Sequence, residues 1–116
     1  MEAHMKITKG DVFFASYYED ENEIIHPCVI YELINENEFK ICMISTNMKK
    51  AYWPGNIILN DNEAGLPKKS IVIVSKTKTA KLMNLREYIG RFSILRTEEI
   101  IKEIERLDNI VGQKEK

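Results

Sequence analysis

Cysteine, histidine, proline and glycine are all scarce in this chain of 116 residues, which holds two Cys, two His, three Pro and five Gly. Two cysteines and two histidines without metal-ligand spacing do not make a zinc site, and no metal or other cofactor is expected. Cys28 and Cys42 each fall in an apolar run. They read as reduced, buried small hydrophobes, even if they are cross-strand neighbours. No apolar run approaches the roughly 18 residues that span a bilayer, and no signal peptide is recognised. No membrane partner is therefore expected, and the expected location is cytoplasmic. A surplus of one charge sign is missing too: the net charge is −1. Any nucleic-acid surface must then be a local basic patch on a balanced protein. There is no internal repeat and no low-complexity linker.

What is present suits one modest core. Hydrophobic residues make up 44% and charged residues 30%, as in an ordinary folded domain. A single domain is expected over residues 5–112. A domain this small gains from pairing with a second copy. Met1 to His4 precede a second methionine, Met5, and read as a cloning remnant, so His4 is given no role. Residues 113–116 read as a frayed tail.

The chain is organised around residues 26–47. Cys28, Val29, Ile30 and Leu33 form one short apolar run. Ile41, Met43 and Ile44 form a second after the polar turn Asn35–Glu38. Both read as buried strands. His26 and Pro27 open the first, and Ser45, Thr46 and Asn47 close the second. In an antiparallel pair the start of one strand lies beside the end of the next, so His26 is expected near Ser45 and Thr46.

Upstream, Lys9-Gly-Asp11 is a turn feeding a strand over residues 12–18, whose aromatic and β-branched content fits a pleated surface covered on both sides. Residues 19–23, Glu-Asp-Glu-Asn-Glu, are either a solvated hairpin tip or a mobile lid beside His26. Downstream, Lys49, Lys50, Tyr52 and Trp53 combine cations with aromatics. The aromatics are packing residues or a base-stacking platform. A short strand is expected over residues 56–59 and a loop over 60–67. Residues 70–75 read as an inner strand, continued by Lys76 and Lys78 on one face. Those lysines either blunt a sheet edge or contact phosphate. Residues 84–90 read as a turn or short helical segment and 91–95 as a final strand. Thr97 reads as the cap of a helix running to about Ile110 and ended by Gly112. Its apolar stripe is Ile100, Ile101, Ile104, Leu107 and Val111.

Several of these segments, in this order, resemble the MazF/PemK family of toxins. Lys9-Gly-Asp-Val-Phe-Phe resembles the family's opening strand. His26-Pro27-Cys-Val-Ile resembles its arginine-proline-apolar strand, and Ile44-Ser45-Thr46 the isoleucine-threonine end of the next. Gly65 to Val74 resembles the following loop and strand, and Tyr88-Ile-Gly-Arg-Phe-Ser93 the segment before its last helix. The resemblance spans residues 6–110.

It implies a mainly β fold with helical additions, an SH3-like barrel of the CcdB/Kid/MazF type. That barrel has a roughly seven-stranded twisted antiparallel sheet and a C-terminal helix. It implies a homodimer, single-stranded RNA as substrate and a cognate antitoxin peptide as partner. It also implies an endoribonuclease (an mRNA interferase) whose cut needs no metal, because a ribose 2′-hydroxyl attacks its own phosphodiester.

The catalytic candidates carried over are His26, at the family's arginine position, and Ser45, at its threonine position, with Thr46 beside it. Arginine is a permanent bidentate cation and histidine is not. As a residue type, histidine exchanges protons near neutral pH and suits a general base or acid. Lys76 and Lys78 are then expected to supply the missing fixed charge, and Lys49, Lys50, Tyr52 and Trp53 further RNA contacts. The alternative is a catalytically degenerate dimer that binds RNA or peptide without cutting.

Overall fold

The computed structural model describes residues 6–114; residues 1–4, read as a cloning remnant, lie outside them. Six strands form one sheet: β1 (Asp11–Glu19), β2 (Asn22–Leu33), β3 (Glu38–Ser45), β4 (Ile57–Ile58), β5 (Ile71–Lys81) and β6 (Leu85–Arg91). Their order is β4-β5-β3-β2-β1-β6, with every neighbouring pair antiparallel. A single α-helix, α1 (Ile94–Lys114), follows. The sheet curls into a half-open barrel of six strands where about seven were expected. Among the described residues no helix is long and apolar enough to cross a membrane.

Strand alternation sorts the core into two clusters. Val12, Val29, Cys42, Ile44, Val72 and Val74 lie under the helix and pack on Ile100 and Ile104, with Leu107 at the margin. The helical stripe therefore buries as its spacing predicts; the side chain of Val111 lies outside the described ones. Phe13, Ala15, Cys28, Ile30, Phe39, Ile41 and Ala80 form the second cluster on the other face. Cys28 and Cys42 are free thiols, both buried.

Several boundaries differ from expectation. The β1–β2 connection is a two-residue turn, with Asp20 at φ 50° and Glu21 at φ 69°. Two left-handed residues in succession suit a tight hairpin whose twist matches its strands. Residues 19–23 are thus a hairpin tip, with no loop long enough to be a lid. β2 begins at Asn22, so His26 lies inside the strand rather than opening it. Residues 85–91 form edge strand β6, not a turn. The expected strand over 91–95 gives way to the helix, which starts at Ile94.

The cap is Ser93, whose Oγ accepts from the Arg96 N–H at 3.1 Å. Thr97 sits within the first turn and donates its hydroxyl back to the Ser93 carbonyl at 2.8 Å. Buried Phe92 sets this phase by pinning the chain just before the cap. Gly112 does not stop the helix, which continues through the first residues of the expected tail to Lys114.

The barrel closes through a seam between β6 and the 3₁₀ turn Glu63–Gly65. A Cβ at Gly90 would lie only 2.1 Å from the Ala64 carbonyl oxygen, so only glycine admits this backbone approach. Beside it, the Arg96 guanidinium grips the Glu63 carboxylate with two bonds of 2.7 and 3.0 Å. Burial alone would raise the Glu63 pKa. The Arg96 hydrogen bond, the Asn60 N–H and the Arg96 charge outweigh it and hold the carboxyl below its ordinary range. One residue beyond Gly90, at the end of β6, Arg91 Nε donates to the fully buried Asp11 at 2.6 Å.

Candidate active site and nucleic-acid interface

The face of the sheet turned away from α1 carries a cavity of about 170 Å³. Its walls come from four adjacent strands: Tyr17 and Glu19 from β1, Cys28 from β2, Ile41 and Met43 from β3, and Ser75 to Lys78 from β5. Strand pairing brings them together, since Phe13 faces Cys28, Cys28 faces Met43 and Ile41 faces Lys78. Two ammonium groups and one carboxylate leave the cavity with a net positive charge. Its hydroxyls come from Tyr17 and Ser75, whereas the Thr77 side chain hydrogen-bonds Tyr31, which packs on the helix-side cluster.

The expected residues fall into three groups. Lys76 and Lys78 both line the cavity. Lys78 Nζ stands 4.9 Å over the Tyr17 ring and 3.8 Å from the Glu19 carboxylate. The ion pairs among the described residues leave Lys76 without a carboxylate partner.

His26 is half-buried on β2 and paired with Ala15 of β1. Alternation puts it on the same face as Cys28, two positions nearer the hairpin tip. The β2–β3 ladder ends at Cys28 and Met43. Continuing that register by two positions sets His26 opposite Ser45, but the strands part before reaching it. Pro27 lies at this parting and has no N–H to offer a ladder. Ser45 instead pairs with Ile71 of β5, and its Oγ accepts from the Asn47 N–H at 3.0 Å. Its hydroxyl proton remains available to an outside acceptor. Thr46 is exposed just beyond the end of β3.

The third group sits on the 3₁₀ turn Met48–Tyr52, capped by the Asn47 side chain and packed against β5. Tyr52 is 92% exposed and so does not pack. Trp53 is partly exposed, with Lys50 Nζ 5.3 Å from its ring centroid. Lys49 is exposed. The packing reading thus fails for Tyr52, and two exposed aromatics with Lys50 beside one of them follow the end of β3.

Sequence reading missed Tyr17, Ser75 and Thr77 as cavity residues. Tyr17 reads as core because aromatic residues in strands usually are. The cue was Lys78, three strands away, which only the register reveals. Burial, with Cys28 and Glu19 nearby, pushes the Tyr17 pKa up to about 12. Burial likewise pushes the Cys28 thiol up to about 12, so neither is a nucleophile at neutral pH. Among the described residues no group of three or more His, Cys, Asp or Glu is placed to hold a metal ion.

Fold and face together define a small curled barrel, helix-covered on one side and open on a cationic, hydroxyl-bearing other side. The chain belongs to the family of PemK-like, MazF-like toxins of type II toxin-antitoxin systems, whose model matches residues 8–107. No curated protein matches it. Among solved structures it is similar to an endoribonuclease in complex with its cognate antitoxin from Mycobacterial species. That match has 14% identity, covers 85% of this chain and 91% of the other, and has a TM-score of 0.67. A second endoribonuclease from Mycobacterial species matches at 12% identity over 88% and 91% of the two chains, with a TM-score of 0.66. At these identities the likeness speaks for the fold.

Proposed function

We propose that this chain is an endoribonuclease toxin that cuts single-stranded RNA at short sequences and is silenced by a cognate antitoxin peptide. The observation that carries the reading is a lysine-walled cavity two strand positions from His26, in a member of a toxin family. Two structurally similar proteins are described as endoribonucleases, one in complex with its antitoxin. The working form is a homodimer in the cytoplasm.

In the proposed reaction a ribose 2′-oxygen attacks the adjacent phosphorus. A bond from phosphorus to O2′ forms as the bond to O5′ breaks. The products are a 2′,3′-cyclic phosphate and a 5′-hydroxyl. His26 takes the 2′ proton or returns one to the departing O5′. Ser45, with Thr46 beside it, donates to the non-bridging oxygens. Lys76 and Lys78 offset the charge that builds on the phosphorane. The exposed aromatics of the 3₁₀ turn stack bases of the flanking strand, with Lys49 and Lys50 at its phosphates.

The test is cleavage of varied RNAs in EDTA, wild type against His26→Ala. The wild type should leave cyclic phosphate ends, and the variant should slow by about a hundredfold or more at unchanged circular dichroism. Cleavage that survives the substitution removes His26 from the mechanism. A wild type that cuts nothing sinks the enzyme reading. It would favour the degenerate binding dimer, which has one observation behind it: no guanidinium lines the cavity.

A further inference from the structure

The Tyr17 hydroxyl is a strong donor with a poor partner. From β1 it reaches across β2 to Met43 on β3, where it meets the thioether sulfur at 4.0 Å. A thioether is a weak acceptor. The phenol is among the cavity-lining groups, and the Lys78 ammonium lies over its ring. The remaining anion in this cavity is the Glu19 carboxylate, 3.8 Å from Lys78 Nζ, with both side chains nearly half exposed. A pair so exposed contributes at most about 1 kcal/mol, so a competing anion displaces it readily. Ser75 adds a hydroxyl on the same wall. A neutral donor, two ammonium groups and a loosely held carboxylate around a space of about 170 Å³ match a tetrahedral dianion or a phosphodiester better than an apolar ligand.

We propose that this cavity seats a phosphodiester of the bound RNA, with the Tyr17 hydroxyl as its neutral hydrogen-bond donor and Glu19 as a place-holder that the phosphate displaces from Lys78. This deepens the reading above and rests on RNA being the ligand. The role asks Tyr17 to stay protonated; a phenol is so at physiological pH, and burial moves its pKa further up. Glu19 ends β1 at the hairpin turn, where the chain has room to swing its carboxylate outward. Lys76, which has no carboxylate partner among the described residues, contacts the phosphate first; Lys78 joins once Glu19 leaves.

The experiment measures binding of a 2′-O-methyl RNA oligonucleotide of mixed sequence, which lacks the attacking hydroxyl and so cannot be cut. Tyr17→Phe keeps the ring, its packing and its contact with Lys78, and removes only the donor. Its affinity should fall about tenfold at unchanged melting temperature. Glu19→Gln should bind about threefold tighter than wild type, because Lys78 no longer has a competing anion. Equal binding by wild type and Tyr17→Phe overturns the seat. Weaker binding by Glu19→Gln overturns the place-holder. A wild type that does not bind the oligonucleotide overturns both. Binding that weakens in Tyr17→Phe, in a protein that cuts no RNA in EDTA, leaves the seat standing while the nuclease reading falls.

Discussion

The two halves of β5 differ more than most pairs of strands do. Ile71, Val72, Ile73 and Val74 are all buried, between β3, β4 and the helix. From Ser75 onward only Ala80 is buried, and lysine and threonine alternate. The change falls where the β3–β5 register is irregular, between Cys42 and Ile44. One continuous strand is thus anchored by its first half and offers functional groups with its second. A site built this way borrows rigidity from the core without placing charge in it.

That contrast can be broken first at its anchored end. Ile73→Ala removes a fully buried side chain and should cost about 2 to 5 kcal/mol in urea denaturation. Binding of RNA by the molecules that remain folded should be unchanged. A loss under 1 kcal/mol would mean the first half is not the anchor.

A smaller effect is expected at the seam that closes the barrel. The folded Glu63 carboxyl has a lowered pKa, so its contribution is complete above the ordinary value of 4.5. It is lost as pH falls below that value toward the folded one. Glu63→Gln should lower stability by roughly 1 kcal/mol at pH 7 and flatten the acid limb of the stability curve. An unchanged acid limb would show that the pair contributes nothing to closure.

The smallest change in stability belongs to the functional end. Lys76→Ala should move stability by no more than about 0.5 kcal/mol. RNA affinity should nonetheless drop several-fold, and the slope of log affinity against log salt should shrink by about 0.7. A stability loss as large as that of Ile73→Ala would erase the distinction between the halves.

How far the sequence announced this architecture follows from the same physics. β1, β3 and the first half of β5 are legible because much of each is buried, so apolar residues dominate their sequences. β6 is not, because Leu85-Arg-Glu-Tyr-Ile-Gly-Arg91 is an edge strand with mostly exposed side chains and no clean alternation. The start of β2 was hidden for a similar reason. Asn22 to Ile25 extend a hairpin beyond β3, pairing on one side only. The helix was visible by its stripe but not its origin, since Ser93 and Thr97 are both plausible caps and buried Phe92 decides between them. Lys76 and Lys78 could be read from alternation. Tyr17 could not, because its place beside them depends on the joint register of β1, β2, β3 and β5.

The two thiols sit back to back in the sheet. Val29 pairs with Cys42 and Cys28 with Met43, so Cys28 belongs to the cavity-side cluster and Cys42 to the helix-side cluster. The sheet stands between their sulfurs, and an internal disulfide would require turning one strand over. Each thiol therefore reports on its own side. An alkylating reagent that reaches Cys28 records the barrel parting, one that reaches Cys42 records the helix lifting, and the order of the two labels tells which layer lets go first.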